Sequence, residues 1–378
     1  MNTNSEFERF GILPNDRPSG RLEIELRCLI RVFRLVFGEL RLKQSLPWKQ
    51  RLRAWKSGFR AQSWGLYNLA ENDPDLYVSD LRLQLKMYKI NGFFTPIVGN
   101  KLVLSRLLAY HEIPHPDVVS SIQGGRLFED NRPFDADMAR ALSRTLDRYP
   151  RQVFRPSWAG SGEGVFFLSR DDDGLQLNGQ PVAPEALHAL LAKLDRYIST
   201  EFIQQASYAG VIYPDTTNTL RLLSLWDEEN GGPFIAAAVH RFGSSRSGAV
   251  DNFHAGHGGL CAPVDLETSS LGKAATLSPE NEWLWLSSHL DTGAPIDGVV
   301  LPGFNQCVEG VLEAAGHLPF CPCIGWDVVL TENGFSILEA NTLPGLTVVQ
   351  VHTALLKDPR TRRFFQRWGM APRSTAAT

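Results

Sequence analysis

The chain has 378 residues, 43% of them hydrophobic, and 38 Lys or Arg against 41 Asp or Glu give a formal net charge of -3. That length buries more than one core, so two or three subdomains are expected, and the balanced charge excludes a protein that holds nucleic acid by bulk attraction. No apolar run approaches the about 20 residues of a spanning helix, and no apolar stretch precedes a cleavage site near the N-terminus, so the expectation is a cytoplasmic protein without a leader.

The five cysteines, Cys28, Cys261, Cys307, Cys321 and Cys323, are odd in number and scattered, as reduced thiols are. Cys321-Pro-Cys323 reads either as a metal clip or redox pair or, with no second Cys or His cluster nearby, as packing.

Residues 1–20 are polar and read as a loose arm. Over 21–43 Leu22, Leu26, Leu29, Phe33, Val36 and Leu40 recur on one helical face, and Arg27, Arg31, Arg34 and Arg41 on another. Residues 1–60 hold 13 Lys or Arg against 6 Asp or Glu. Such a segment reads in two ways: as a helix lying on an anionic membrane through residues 21–60, or as an accessory helix packed on the body or on a second subunit. Residues 48–81 read as further helix with aromatic anchors Trp55, Phe59, Trp64 and Tyr67, which suit either a core or a sugar ring. Residues 83–91 continue the helix, and Gly92 breaks it. Lys101 opens a helix over 102–110, and 126–149 reads as polar helix.

Residues 152–168 read as a strand, a loop carrying Gly160, Gly162 and Gly164, and a second strand. Backbone N–H groups of such a turn can close over phosphate oxygens, and because a strand follows, this is no dinucleotide fingerprint. A turn-rich hairpin loop is expected over 171–179, a helix over 184–196 and a strand over 197–204. Alternating strands over 218–225 and 234–242 lead to a Gly-rich loop with Asn252, His254 and His257. His254 is either a base for an attacking amine or, like His257, a loop residue bonded to backbone. Helices are expected over 279–290 and 305–318, and a closing helix over 351–368, broken at Asp358-Pro359.

The most informative stretch is 325–347, GWDVVLTENGFSILEANTLPGLT. Residues 326–330 and 335–340 read as paired strands around a three-residue loop, Glu332, Asn333 and Gly334. Centred on Asn333, that loop sets Asp327 opposite Glu339, and Asn341 faces the same way. Two carboxylates and an amide oxygen converging there suit Mg²⁺ rather than Zn²⁺ or copper, while the bland alternative is an acidic surface hairpin.

ILEANTLPGLT closely resembles the metal-binding segment of D-alanine:D-alanine ligases and other ATP-grasp enzymes. The order of Lys101, Arg155 with its glycine loop, 201–203, 221–252 and 327–341 resembles the sugar-transfer associated ATP-grasp proteins over roughly 95–355. The resemblance implies an α+β ATP-grasp fold, two α/β lobes closing on ATP, with a helical N-terminal region. It implies ATP and Mg²⁺ as cofactors and Asp327, Glu339 and Asn341 as metal ligands. Lys101, Arg155, Ser161, Gly162, Gly164, Glu201, Phe202 and Ile203 would bind the nucleotide, with Arg155 standing where the family has Lys. Arg221, Arg241, Asn252 and His254 would be catalytic.

The expected organisation is a helical region over 1–92, a small lobe over 93–200, a large lobe over 201–368 and a tail over 369–378. The expected activity is an ADP-forming carboxylate–amine ligase working through an acyl-phosphate in glycan or peptide-conjugate biosynthesis. Its partners would be a small carboxylate and an amine, a sugar or amino acid among them. No nucleic acid is expected; the sequence leaves the oligomeric state open, and the resemblance allows a homodimer, since related ligases are often dimers. The alternatives are a silent nucleotide-binding accessory protein of a glycan assembly complex and a phosphotransferase on the same fold. Residues 1–92 depart from the D-alanine ligase pattern, so the substrate is not inherited from it.

Overall fold

The computed structural model describes residues 46–372 apart from 130–131, 134–137, 159–161, 163, 173, 249, 254–257 and 281, together with Ile30, Phe33 and Phe37. The helix expected over 21–43 therefore lies outside the described residues, except at those three positions. The chain divides into two compact units.

The first unit holds Pro96–Gln204 and Ser336–Ala340. Its helix α5 (Lys101–Tyr110) follows four helices given below, and starts where Asn100 Oδ1 accepts the N–H groups of Leu102 and Val103 at 3.0 and 3.2 Å. Strands β1 (Val118–Gln123), β2 (Arg126–Glu129), β3 (Arg132–Pro133), β4 (Arg151–Pro156), β5 (Phe166–Asp171), β6 (Gly174–Leu177), β7 (Gln180–Pro181) and β8 (Tyr197–Glu201) form one sheet. Their order is β3-β2-β1-β8-β4-β5-β6-β7, every printed pair antiparallel. Helices α6 (Met138–Arg148) and α7 (Pro184–Leu191) supply Leu142, Leu146, Leu187 and Leu191 to a core with Ile122, Phe154 and Leu168. The segment Ser336–Ala340 joins this unit through the Ile337 N–H, which donates to the Pro114 carbonyl at 2.9 Å.

The second unit holds the described residues up to Thr95, then Gln205–Phe335, then the chain from Asn341. Helices α1 (Trp48–Lys56), α2 (Ala61–Leu66) and α3 (Asp80–Asn91) lie at its start, of α4 (Thr95–Val98) only Thr95 belongs to it, and α8 (Ser207–Ile212), α9 (Phe304–Gly316), α10 (Thr347–Gln350) and α11 (Pro359–Arg367) follow. Strands β9 (Leu220–Asp227), β10 (Gly232–Phe242), β11 (Leu260–Val264), β12 (Ala274–Leu277), β13 (Trp283–Leu286), β14 (Cys323–Thr331) and β15 (Gly334–Asn341) run in the order β13-β12-β11-β10-β9-β14-β15. Leu223, Leu225 and Val239 on this sheet, Phe59, Trp64, Tyr67 and Ile90 from the early helices, and Leu346, Val349 and Phe365 from the C-terminal segment share one core. Gln350 ties the two ends of the chain together like an inserted strand residue. Its side chain accepts the Val78 N–H at 2.7 Å and donates to the Val78 carbonyl at 3.0 Å.

Several sequence expectations need correction. Residues 126–129 and 132–133 are strands, not helix: Gly124 and Gly125, at φ 54° and 70°, turn the chain back so that Leu127 pairs with Ile122, and among the described residues of this stretch helix is left over α6 alone. The helix expected over 279–290 is the strand β13, whose alternating Trp and Leu pair with β12. The helical reading of 48–81 breaks at Gly58 and Asn68, both at positive φ, and at a 3₁₀ turn over Pro74–Leu76. A short strand, β6, interrupts the loop expected over 171–179, and α7 ends at Leu191, short of Arg196. Of the closing helix only α11 forms, capped by Asp358, whose carboxylate accepts the Thr361 N–H and hydroxyl, both at 2.7 Å. The 325–347 hairpin turns through Glu332 and Asn333 alone, because Gly334 already begins β15 at φ 153°.

Candidate functional site

In the first unit, two cations meet one acid. Lys101, the first residue of α5, places Nζ 3.1 Å from Glu339 Oε2, with the two side chains 8% and 22% exposed. Arg155 on β4 is buried, and its Nε has no partner among the described residues. Burial lowers the affinity of this guanidinium for its proton, and Glu339 offsets part of that loss. A small pocket lies beside them, lined by Lys101, Ser105, His115, Arg155, Thr200 and Ile337 among others. The arrangement is two positive charges over one negative in a poorly solvated place, which favours an incoming anion.

The glycine loop follows β4. Gly162 and Gly164 have φ of 72° and 71°, and a Cβ on Gly164 would lie 2.6 Å from the Tyr197 hydroxyl, so only glycine fits there. Ser161 lies outside the described residues. Glu201, Phe202 and Ile203 are half-buried at the end of β8. Glu201 Oε1 accepts the Asp117 N–H at 2.9 Å and its own N–H donates to the Asp117 carbonyl at 3.0 Å. The Phe202 N–H donates to the Arg151 carbonyl at 3.1 Å, and the Arg151 guanidinium lies 3.9 Å from the Phe202 ring centroid.

In the second unit the acid is outnumbered in the same way, but every group is engaged. The register of β9 on β14 sets Arg221 opposite Asp327. Arg221 Nε and Nη2 donate to Asp327 Oδ1 and Oδ2 at 2.5 and 3.0 Å, a bidentate fork. Arg241 Nη2 lies 3.1 Å from Asp327 Oδ2, and Asn341 Nδ2 donates to that oxygen at 3.3 Å. Arg241 also bonds the Thr219 hydroxyl through Nε at 3.1 Å and through Nη2, and its Nε lies 3.5 Å from Asp251 Oδ2. Thr219 in turn donates its N–H and its hydroxyl to Asp251 Oδ2 at 2.8 and 2.5 Å. Burial raises the Asp251 carboxyl above the usual carboxylate range, with Arg241 and Thr219 pulling it back. Asn252 is half-buried beside it, and a Cβ on Gly259 would lie 2.4 Å from the Asn252 carbonyl oxygen, so the loop packs backbone against backbone. His254 and His257 lie outside the described residues.

Sequence reasoning missed Thr219 and Asp251. The available signal was periodicity: Thr219 and Arg221 leave the same face of one strand, and Arg241 sits on the next. It also missed that Lys101 and Glu339, 238 positions apart, form a pair.

A model of the sugar-transfer associated ATP-grasp family matches residues 81–362. The chain belongs to that family. No curated protein matches the sequence. Among solved structures, this sugar-transfer associated ATP-grasp protein is similar to D-alanyl-alanine synthetase A from Vibrio cholerae, at 13% identity and TM-score 0.40 over 71% of this chain and 61% of that one. It is similar to D-cycloserine synthetase DcsG at 16% identity and TM-score 0.39, over 74% and 73% of the two chains. The ATP-grasp ligase PsnB, complexed with a minimal precursor variant, Mg and ADP, aligns at 10% identity and TM-score 0.37, over 74% of this chain and 61% of that one. The chain thus spans about six tenths of the length of the first of these structures and of PsnB. With the family known, the fold is an α+β ATP-grasp fold with helices at its N-terminal end.

The chemistry of the donors can be tested against a magnesium nucleotide. Among the described residues no three His, Cys, Asp or Glu gather to hold a metal. Asp327 accepts from two guanidinium groups and an amide, so a bare divalent cation meets net positive charge there and is repelled. A polyphosphate reverses that balance, because guanidinium groups that turn to phosphate oxygens release carboxylate oxygens of the hard kind Mg²⁺ prefers. The residues therefore fit a metal that arrives with its nucleotide. Among the described residues no helix is long and apolar enough to cross a membrane.

Proposed function

We propose that the protein is an ATP-dependent carboxylate–amine ligase that works through an acyl-phosphate and releases ADP and phosphate, in glycan or peptide-conjugate biosynthesis. The observation that carries the reading is the buried Arg155, its Nε unpartnered among the described residues, in the field of the carboxylate that Lys101 pairs with and beside a pocket. Keeping a buried cation that one shared carboxylate offsets only in part has a cost, and a phosphate chain is the anion that removes it.

In this reading Lys101 and Arg155 bind the phosphates, and the turn at Gly162 and Gly164 covers them with backbone N–H groups. Mg²⁺, when bound with the nucleotide, neutralises charge on the phosphoryl oxygens. Asp327 and Asn341 are the oxygen donors proposed for it. Arg221 and Arg241 hold the charge of the transferring phosphoryl group and of the acyl-phosphate. A carboxylate is a poor electrophile, and phosphorylation gives it a leaving group that an amine displaces. The chain then has only to orient the partners and exclude water.

One observation favours a second reading, a nucleotide-binding accessory protein without turnover: Asp327 is saturated by its own arginines. A screen of amino acids and acidic sugars for ADP release with ATP and Mg²⁺ separates the two. Stimulated release of ADP and phosphate, lost in Asp327→Asn, supports the ligase. AMP and pyrophosphate would overturn the scheme. ATP binding without turnover under every pair, unchanged in Asp327→Asn, would establish the accessory role.

A further inference from the structure

The helix α1 is not built like the rest of the second unit. Only Ala54 on it is buried, and Ala54 seats the helix on the shared core. Trp48, Leu52 and Trp55 stay 71%, 43% and 44% exposed, and their spacing of four and three residues puts them on one line along the helix. At 100° per residue, Lys49 and Lys56 flank one edge of that line, with Arg53 beyond them, and Arg51 flanks the other, and the helix carries no acidic residue. The Lys49 ammonium and the Arg51 guanidinium lie over the Trp48 and Trp55 rings, 5.9 and 5.2 Å from their centroids, so each of these two rings carries a cation on one face. Phe33 and Phe37, ring centroids 4.8 Å apart, and Ile30 add further exposed apolar groups upstream. Residues 1–60 hold 13 basic against 6 acidic residues, whereas the remainder holds 25 against 35.

We propose that α1 docks the protein on an anionic lipid surface, with Trp48, Leu52 and Trp55 entering the headgroup boundary and Lys49, Arg51, Arg53 and Lys56 bonding the phosphates around them. Three features select a bilayer as the occupant. Tryptophan is the side chain that gains most at the boundary of water and hydrocarbon, because its ring is apolar and its N–H polar. The cations border the apolar line instead of occupying it, which suits a plane of phosphates over hydrocarbon. A nucleic-acid groove would want them in the middle of the face. And the concentration of positive charge at this one end, on an otherwise acidic chain, orients the molecule toward a negative plane. Family membership plays no part here, so the proposal stands or falls separately from the ligase reading.

The test is cosedimentation of the full chain with vesicles of phosphatidylcholine alone or with about a third phosphatidylglycerol, with tryptophan emission followed in parallel. The expected result is binding to the anionic vesicles only, weakened by salt, with a blue-shifted emission. Trp48→Ala with Trp55→Ala, and separately Lys49→Glu with Lys56→Glu, should each weaken binding about tenfold or more with an unchanged melting curve. Equal binding by the variants, equal binding to neutral vesicles, or no binding would overturn the proposal. So would a solution dimer that the tryptophan variant abolishes, or retention of an oligonucleotide in place of the vesicles.

Discussion

Each unit sets guanidinium or ammonium groups against an outnumbered carboxylate, but with opposite states of satisfaction. In the first, Lys101 rests on Glu339 while Arg155 keeps an unpartnered Nε beside a pocket. In the second, Arg221, Arg241, Asn341, Thr219, Asp251 and Asp327 form a closed chain of hydrogen bonds. The difference teaches how a charged cluster divides its work. The unsatisfied cluster costs stability in the empty protein and gains on binding an anion. The satisfied one holds strands β9, β10, β14 and β15 together, and a ligand has to displace its internal partners.

That contrast yields predictions of decreasing size. Asp327→Ala strands two buried guanidinium groups and should lower unfolding free energy by about 3–5 kcal/mol in urea titrations. Stability unchanged by that substitution would mean that the network carries no load. Acid should also act on the second unit, where burial pushes His240 down to about 3 and His352 to about 4. The unfolded chain binds protons at these histidines near pH 6.5 and the folded chain does not. Their contribution is therefore complete above pH 6.5 and lost as pH falls toward the folded values, by about 1.4 kcal/mol per histidine per pH unit. Urea midpoints measured between pH 7 and pH 5 check this slope, and His240→Gln should flatten it by roughly half.

Arg155→Met addresses the first unit and should behave in the opposite way to Asp327→Ala. ATP binding by calorimetry should weaken about tenfold to a hundredfold, while the urea midpoint holds or rises. A fall in both would show that Arg155 is structural. The smallest effect is expected for Gln350→Ala, which removes both bonds to Val78 and should cost about 1–2 kcal/mol, read in the same urea titrations.

Much of this was legible because it is local. The alternation over 326–330 and 335–340 reports the hairpin strands, and Lys101 opens its helix where the pattern places it. Less legible was whatever depends on distant partners. Arg221 and Asp327 are 106 residues apart, and only the sheet register pairs them. Local pattern also misled where turns decided the outcome: Gly124 and Gly125 convert a polar, helix-like stretch into a hairpin. The aromatic residues of 55–67 illustrate a third limit. Phe59, Trp64 and Tyr67 are core while Trp55 is exposed, a division set by which helical face the body covers and not by residue type.

The shared core has a consequence for how the protein is made. The core cluster built around Phe154 and Leu168 in the first unit draws its buried residues from between Ile122 and Tyr197, so they are all present soon after that segment leaves the ribosome. Trp64, Tyr67 and Ile90 emerge earlier yet lie against Leu346, Phe365 and Met370 in the finished molecule. At ordinary elongation rates they wait on the order of tens of seconds for those neighbours, a window in which the nascent chain offers an apolar surface to chaperones.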